Sequence, residues 1–210
     1  MRVTERPTLK NKCKVNKKIN FLIILMIKSI ILEFAIFISF FINNTPGNLG
    51  KLIRKIFYKV RFNNLGKNFT SDIGFSTIKP KNISLGDNCS IMKNCSIYAC
   101  EKSKIFIGDN FNCNLNVYIN SCNGGLIKIG NNVAIGPNTV IRAANHRIGN
   151  LKNHAAGEII IEDNVWIGSN CVILKDVTIH SGAVIGAGVT VYKDVAENEI
   201  IVNLNKTLIK

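Results

Sequence analysis

Between Leu85 and Val195 the apolar residues keep a period of six. The clearest run begins at Ile161 and continues through Ile167, Ile173, Ile179, Ile185 and Val191. A second, mostly smaller residue follows each start by four places, at Val165, Cys171, Val177, Ala183, Val189 and Val195, with Gly, Asn, Asp or Ser filling most positions between. A period of six fits neither the helical 3.6 nor the alternation of a plain strand. It fits a β-helix, in which each hexad is one short strand and one corner, and three hexads close a triangular coil. The aliphatic residue points inward, and Gly and Asn supply the positive φ that tight corners need.

The same hexads occur upstream in three sets: Leu85, Ile91 and Ile97; Ile107, Cys113 and Ile119; Ile129, Ile135 and Ile141. Their starts at 85, 107 and 129 are 22 apart, against 18 for the bare coil from 161 to 179, and the step from 129 to 161 is 32. Each long coil thus carries its extra residues at the same point, after the third strand. Bulges are expected near 98–104, 120–126 and 142–158, stacked along one edge, the last being the largest. An earlier, weaker coil is expected to begin near Ile73. The fold class is all-β, a parallel β-helix of about five to six coils, roughly 25–30 Å tall at ~4.8 Å per coil.

Ahead of the prism the pattern changes. Residues 21–42 read FLIILMIKSIILEFAIFISFFI, long enough to cross a bilayer at ~20 residues but interrupted by Lys28 and Glu33. Both flanks are basic, and no small-residue cleavage site follows. A helix lying in or dipping into the cytoplasmic leaflet fits this better than a single span, whose basic flanks would sit on opposite sides. A soluble helix packed on the domain or on a partner is the competing reading. Asn44-Thr45-Pro46-Gly47-Asn48 is a turn signal, and residues 49–62 read as a short basic amphipathic helix. The expected organisation is a basic, apolar helical extension over 1–62, the β-helix over 63–202 and a short tail over 203–210.

Charge sharpens this division. The net charge is +14, of which residues 1–61 carry +11. A nucleic-acid protein would place such charge on its folded reading surface, among aromatics, so no nucleic-acid partner is expected. The seven cysteines form no CxxC pair and no zinc spacing. Several fall at inward positions of the repeat, where buried free thiols in a reducing compartment are expected.

Chemistry is expected where the repeat is broken. The longest departure, from Arg142 to Glu158, holds His146 and His154, two of the three histidines. A loop on a rigid scaffold is a usual home for catalysis, and a neutral imidazole can take a proton from a hydroxyl near pH 7. The third, His180, lies at a corner of the regular repeat. A metal enzyme of the γ-carbonic-anhydrase kind would need all three to meet, and their spacing is wrong for it. A non-catalytic scaffold on the same prism is the other alternative.

Residues 159–195 resemble the hexapeptide-repeat O-acetyltransferases of the galactoside, maltose and capsular-polysaccharide type, most specifically in Val165-Trp166-Ile167-Gly168 after a long loop and in Ile185-Gly186-Ala187-Gly188. Lys79-Pro80-Lys81-Asn82-Ile83-Ser84-Leu85-Gly86-Asp87-Asn88 is similar to the opening coils of polysaccharide-modifying members. The resemblance covers roughly residues 63–202. It implies a left-handed coil and a homotrimer with acetyl-CoA in the groove between subunits. It also implies direct transfer to a sugar hydroxyl, with His146 as general base and no metal. Ser169, Ala187 and Lys193, with Lys206 beyond them, match cofactor-contacting positions. Asn114 or Asn116 matches the acceptor-side asparagine, and each also suits a corner. Trp166 reads as a packing residue at the subunit groove. The family's C-terminal prolines and its glycine are absent: Ala196-Glu197-Asn198 and Asn203-Leu204-Asn205-Lys206 stand in their place. The acceptor so implied is a sugar or polysaccharide precursor, and the expected place is the cytoplasm, with residues 1–61 on the inner membrane surface.

Overall fold

The computed structural model describes residues 9–147 and 149–203, with side chains at 20–145, 149 and 155–203. The chain divides into two compact units, one ending at Phe41 and the other beginning at Ile42.

Most of the first unit is helix α1 (Leu9–Asn44), whose last three residues belong to the second unit. Its segment Asn20–Asn44 has a mean hydropathy of 2.6 and none of it is buried. By length and composition it can cross a membrane.

The second unit is a parallel β-helix. Coil 1 is β1 (Asn64–Leu65), β2 (Thr70–Ser71) and β3 (Ser76–Ile78); coil 2 is β4 (Ile83–Leu85), β5 (Ser90–Ile91) and β6 (Ser96–Ala99). Coil 3 is β7 (Lys104–Ile107), β8 (Asn112–Cys113) and β9 (Tyr118–Ser121); coil 4 is β10 (Leu126–Ile129), β11 (Ala134–Ile135) and β12 (Val140–Arg142). A hairpin, β13 (Ala144–Arg147) and β14 (Asn150–Ala156), interrupts the winding. Coil 5 is β15 (Glu158–Ile161), β16 (Trp166–Ile167) and β17 (Val172–Ile173); coil 6 is β18 (Val177–Ile179), β19 (Val184–Ile185) and β20 (Thr190–Val191). A seventh turn begins at Val195, bridged in parallel to Ile179, and continues into strand β21 (Ile200–Ile201). The first strands of the coils stack into one parallel sheet, the second strands with β21 into another, and the third strands into the last.

The register is the one the arithmetic predicts. Leu85, Ile107, Ile129, Ile161 and Ile179 are successive partners in the first sheet. Ile91, Cys113, Ile135, Ile167 and Ile185 are partners in the second, and Ile97, Ile119, Ile141, Ile173 and Val191 in the third. Together with the smaller residues four places on, they fill the prism.

Coil 1 corrects the expectation at Ile73, which sits in a turn. The coil begins at Leu65, the partner of Leu85. Its inward positions carry Phe69, Ser71 and Phe75, which hid the phase. The aromatics are there because this end of the prism is closed by helix α2 (Gly47–Lys59). Tyr58 meets Phe75 at 5.0 Å and Phe62 at 5.4 Å between ring centroids. The Tyr58 hydroxyl donates to Asn43 Oδ1 at 2.8 Å. Buried Arg54 donates from Nε to Ser71 O at 3.0 Å and from Nη1 to Thr45 O at 2.8 Å.

Corners are held by asparagines in the left-handed region. At the corner between the first and second sheets, Asn68, Asn88, Asn110, Asn132 and Asn164 all have φ near +57° to +60°. Each donates from Nδ2 to the Oδ1 of the next, at 3.0, 3.0, 2.9 and 3.1 Å.

The three bulges lie where expected, between the third and first sheets. The largest is a hairpin and no loop. The first two stack closely enough that Cys100 and Cys122 form a disulfide, with Cα atoms 4.6 Å apart, which overturns the free-thiol expectation for this pair. Cys89, Cys95, Cys113 and Cys171 are free and buried.

Candidate active site

The corner between the second and third sheets carries two of the cofactor-position residues. Ser169 (coil 5) and Ala187 (coil 6) stack there, and Ser169 O accepts the Gly188 N–H at 2.8 Å. Glycine makes this stack possible. A Cβ at Gly168 would stand 2.7 Å from Ala187 N, and one at Gly136 would stand 2.6 Å from Gly168 C and 2.7 Å from Ser169 N. Thr139, which the sequence reading passed over, braces the corner from inside: its buried Oγ1 donates to Gly168 O at 2.9 Å and accepts from Cys171 N at 3.2 Å. Among the described residues, the N–H groups of Ser169 and Ala187 make no hydrogen bond. Ser169 is half-buried and Ala187 exposed, so these are two donors one coil apart on an open backbone strip. An extended acyl carrier with amide oxygens fits such a strip. At the last coil, exposed Asn203 donates from Nδ2 to Gly188 O at 3.2 Å.

Beside this corner, the outer face of the second sheet forms a groove of 440 Å³ lined by Lys51, Ser90, Met92, Asn112, Asn114 and Trp166, among others. Trp166 is 58% exposed. The two candidate asparagines separate here. Asn114 is exposed in the groove, its Oδ1 accepting the Leu115 N–H at 2.8 Å. Asn116 turns the corner at φ +57° and donates to Asn138 Oδ1 at 3.0 Å, as a rung between coils. Lys51 reaches the groove from α2, which nothing in the repeat could have indicated.

The histidine-bearing hairpin rises from the opposite edge of the third sheet. Its base is closed where Gly157 N donates to Ala143 O at 2.8 Å. In its antiparallel register His146 is the partner of His154, and a register shift follows at Arg147. The side chains of both histidines lie outside the described residues. Glu158, the acid at the hairpin's end, is committed to Lys128 at 3.0 Å. Lys193 is exposed just past β20, on the hairpin's edge of the third sheet and not on the Ser169 and Ala187 corner. Lys206 lies outside the described residues. In one chain, therefore, the third sheet separates the hairpin and Lys193 from Ser169, Ala187 and Asn114.

His180 is elsewhere again, at the corner between the first and second sheets. Its Nδ1 is 3.2 Å from Glu162 Oε1. Ser181 donates to Glu162 Oε2 from its N–H at 2.9 Å and from its hydroxyl at 3.0 Å. The Ser181 bonds, then His180, hold the Glu162 carboxyl below its ordinary range. The serine hydroxyl donates to the acid and not to the imidazole, so this is no nucleophilic triad. Within one chain His180 and the hairpin occupy different corners of the prism. Among the described residues no group of three His, Cys, Asp or Glu is placed to hold a metal.

Residues 158–193 match the bacterial transferase hexapeptide (six repeats) family. Among solved structures, the chain is similar to a maltose O-acetyltransferase from Clostridium difficile, at 27% identity over 80% of this chain and 79% of that one, with a TM-score of 0.54. A hexapeptide-repeat acetyltransferase from Vibrio cholerae, complexed with acetyl coenzyme A, matches at 25% identity over 76% and 75%, with a TM-score of 0.52. A variant of AntD, an N-acyltransferase from Bacillus cereus, in complex with dTDP-4-amino-4,6-dideoxyglucose and coenzyme A, shares the fold at a TM-score of 0.65, with 22% identity over 72% and 84%.

Proposed function

We propose that this hexapeptide-repeat protein is an acyltransferase that moves an acetyl group from acetyl-CoA to a sugar hydroxyl, with His146 as general base. The observation that carries the reading is the stack of Ser169 on Ala187. It presents two unbonded N–H donors along a glycine-smoothed corner, next to a groove that carries exposed Trp166, Asn112 and Asn114. An O-acetyltransferase and an acetyl-CoA complex among the similar structures support the same chemistry. The N-acyltransferase complex with a nucleotide-linked amino sugar supports a sugar as acceptor.

In this mechanism acetyl-CoA supplies the activated thioester. Ser169 and Ala187 would donate their N–H groups to the carrier's amide oxygens, and Lys193, from the hairpin-bearing edge of a neighbouring copy, and Lys206 would meet its phosphates. Asn114 orients the acceptor. His146 takes the hydroxyl proton as the acceptor oxygen bonds to the acyl carbon, then gives that proton to the departing thiolate. The products are an acetyl ester and free CoA.

A homotrimer completes the site. The third sheet divides the histidine hairpin from the Ser169 corner within one chain, and a neighbouring copy can bring its hairpin to that corner. Acetyl-CoA supply places the protein on the cytoplasmic side, with a polysaccharide precursor as acceptor. The test is mass spectrometry of surface glycans with and without the gene. Loss of one acetyl mass per modified sugar is expected in its absence; an unchanged glycan acetyl content would refute the assignment.

A further inference from the structure

Helix α2 shows two different faces. The first is locked onto coil 1. A Cβ at Gly50 would collide with Thr45 O, Arg54 is fully buried on three backbone carbonyls, and Tyr58 is buried between Asn43 and Phe75. These contacts leave no freedom in which side faces outward. On that side stand Leu49, Leu52, Ile56 and, just past the helix, Val60, which are 64%, 55%, 62% and 71% exposed. Their spacing of three, four and four makes them one stripe, opposite Gly50, Arg54 and Tyr58. Lys51, Lys55 and Lys59 form a parallel row along one flank, and all three are exposed.

An exposed aliphatic stripe with a cationic row at its flank is the surface of a helix that lies in a lipid headgroup layer. The connection supports this occupant. Only Thr45 and Pro46 separate α2 from α1, whose Asn20–Asn44 segment is long and apolar enough for a bilayer. At ~3.5 Å per residue, that linker cannot carry α2 more than roughly 10 Å from the end of α1.

We infer that the outer face of α2 docks on an anionic phospholipid bilayer, Leu49, Leu52, Ile56 and Val60 entering the interface and Lys51, Lys55 and Lys59 meeting the headgroup phosphates. The coil 1 end of the prism then faces the membrane and the last coil faces the solvent. A lipid-linked or membrane-bound acceptor would be met by the side grooves of an upright prism.

Trp166 is the one tryptophan of the chain, so Ile56→Trp in a Trp166→Phe background reports on α2 alone. The probe is vesicles containing phosphatidylglycerol, with bromine on the acyl chains, carrying the full-length protein. Circular dichroism checks that each variant is folded. The Ile56→Trp emission is expected to be quenched by the brominated chains, and Trp166 of the unsubstituted protein, on coil 5, to be spared. Replacing Lys51, Lys55 and Lys59 by Glu is expected to abolish the quenching. Two results overturn the proposal. One is an Ile56→Trp indole that aqueous acrylamide quenches as fully in the presence of vesicles as it quenches free tryptophan. The other is a blue-shifted emission that follows protein concentration without lipid, which would assign the face to a second copy.

Discussion

His146 and His154 are register partners across the antiparallel hairpin β13–β14. The register thus leaves the two histidines at one height on the hairpin. His146→Ala is expected to lower kcat by about 10²–10⁴, the usual worth of a general base. His154→Ala is expected to stay within about tenfold of the parent, with no base to remove. Steady-state release of CoA thiol measures both. The reverse order of the two variants would move the base to His154.

Asn114 and Asn116 should fail in different ways. Asn114 is exposed in the groove, so Asn114→Ala is expected to raise KM for the acceptor and to leave the melting temperature unchanged. Asn116 occupies the left-handed region and bonds Asn138. Asn116→Ala is expected to cost about 1–2 kcal/mol for that backbone conformation, read as a lower Tm with little change in KM.

Gly168→Ala tests the corner. Its new Cβ would meet the Ala187 backbone nitrogen at 2.7 Å, so the stack of Ser169 on Ala187 has to open. Acetyl-CoA affinity is expected to fall by at least tenfold, about the worth of one lost hydrogen bond at 1.4 kcal/mol. Isothermal calorimetry reads this on a variant whose β circular dichroism is retained.

The aromatic floor predicts an alkaline instability. Burial pushes the Tyr58 hydroxyl up from 10.0 to about 12, its bond to Asn43 opposing this. Between about pH 10 and 12 the folded protein keeps a proton that the unfolded chain has lost. Stability from this group is therefore full below pH 10 and declines as pH rises through that window. Tyr58→Phe is expected to cost ~1 kcal/mol at pH 7 for the lost hydroxyl bonds. It should also flatten the decline in Tm between pH 10 and 12. A slope identical to the parent's would contradict this.

Thiol accessibility separates the cysteines. Without reductant, the native protein should leave Cys100 and Cys122 unlabelled, and mild reduction should expose both on the bulges. Cys89 is expected to stay unlabelled at pH 8 in either case, because burial pushes its thiol up to about 11. Peptide mapping after alkylation reads each position.

Much of this molecule was legible in its period of six. Leu85, Ile107, Ile129, Ile161 and Ile179 were placed in one row by arithmetic alone, because a β-helix turns sequence spacing directly into register. Coil 1 escaped because closing an end demands volume: Phe69 and Phe75 replace the aliphatic hexad where Tyr58 packs. The hairpin read as a loop, since Ala144-Asn145-His146-Arg147 has neither the alternation nor the β-branched residues of a strand. The disulfide did leave a signal. Cys100 and Cys122 are 22 residues apart, one long coil, and so had to stack. Within the candidate site, Ser169 and Ala187 followed from the motif. Lys51 did not, because it arrives from α2, whose packing on the prism is a matter of tertiary contacts.

The proposed transfer requires that the corner built by Gly168, Ser169 and Ala187 receive acetyl-CoA. Calorimetric titration of acetyl-CoA into the full-length protein tests it most directly. Saturable binding is expected, weakened by Gly168→Ala and retained by His146→Ala. No detectable binding to a folded protein would contradict it, and would leave the prism as a scaffold without a donor site.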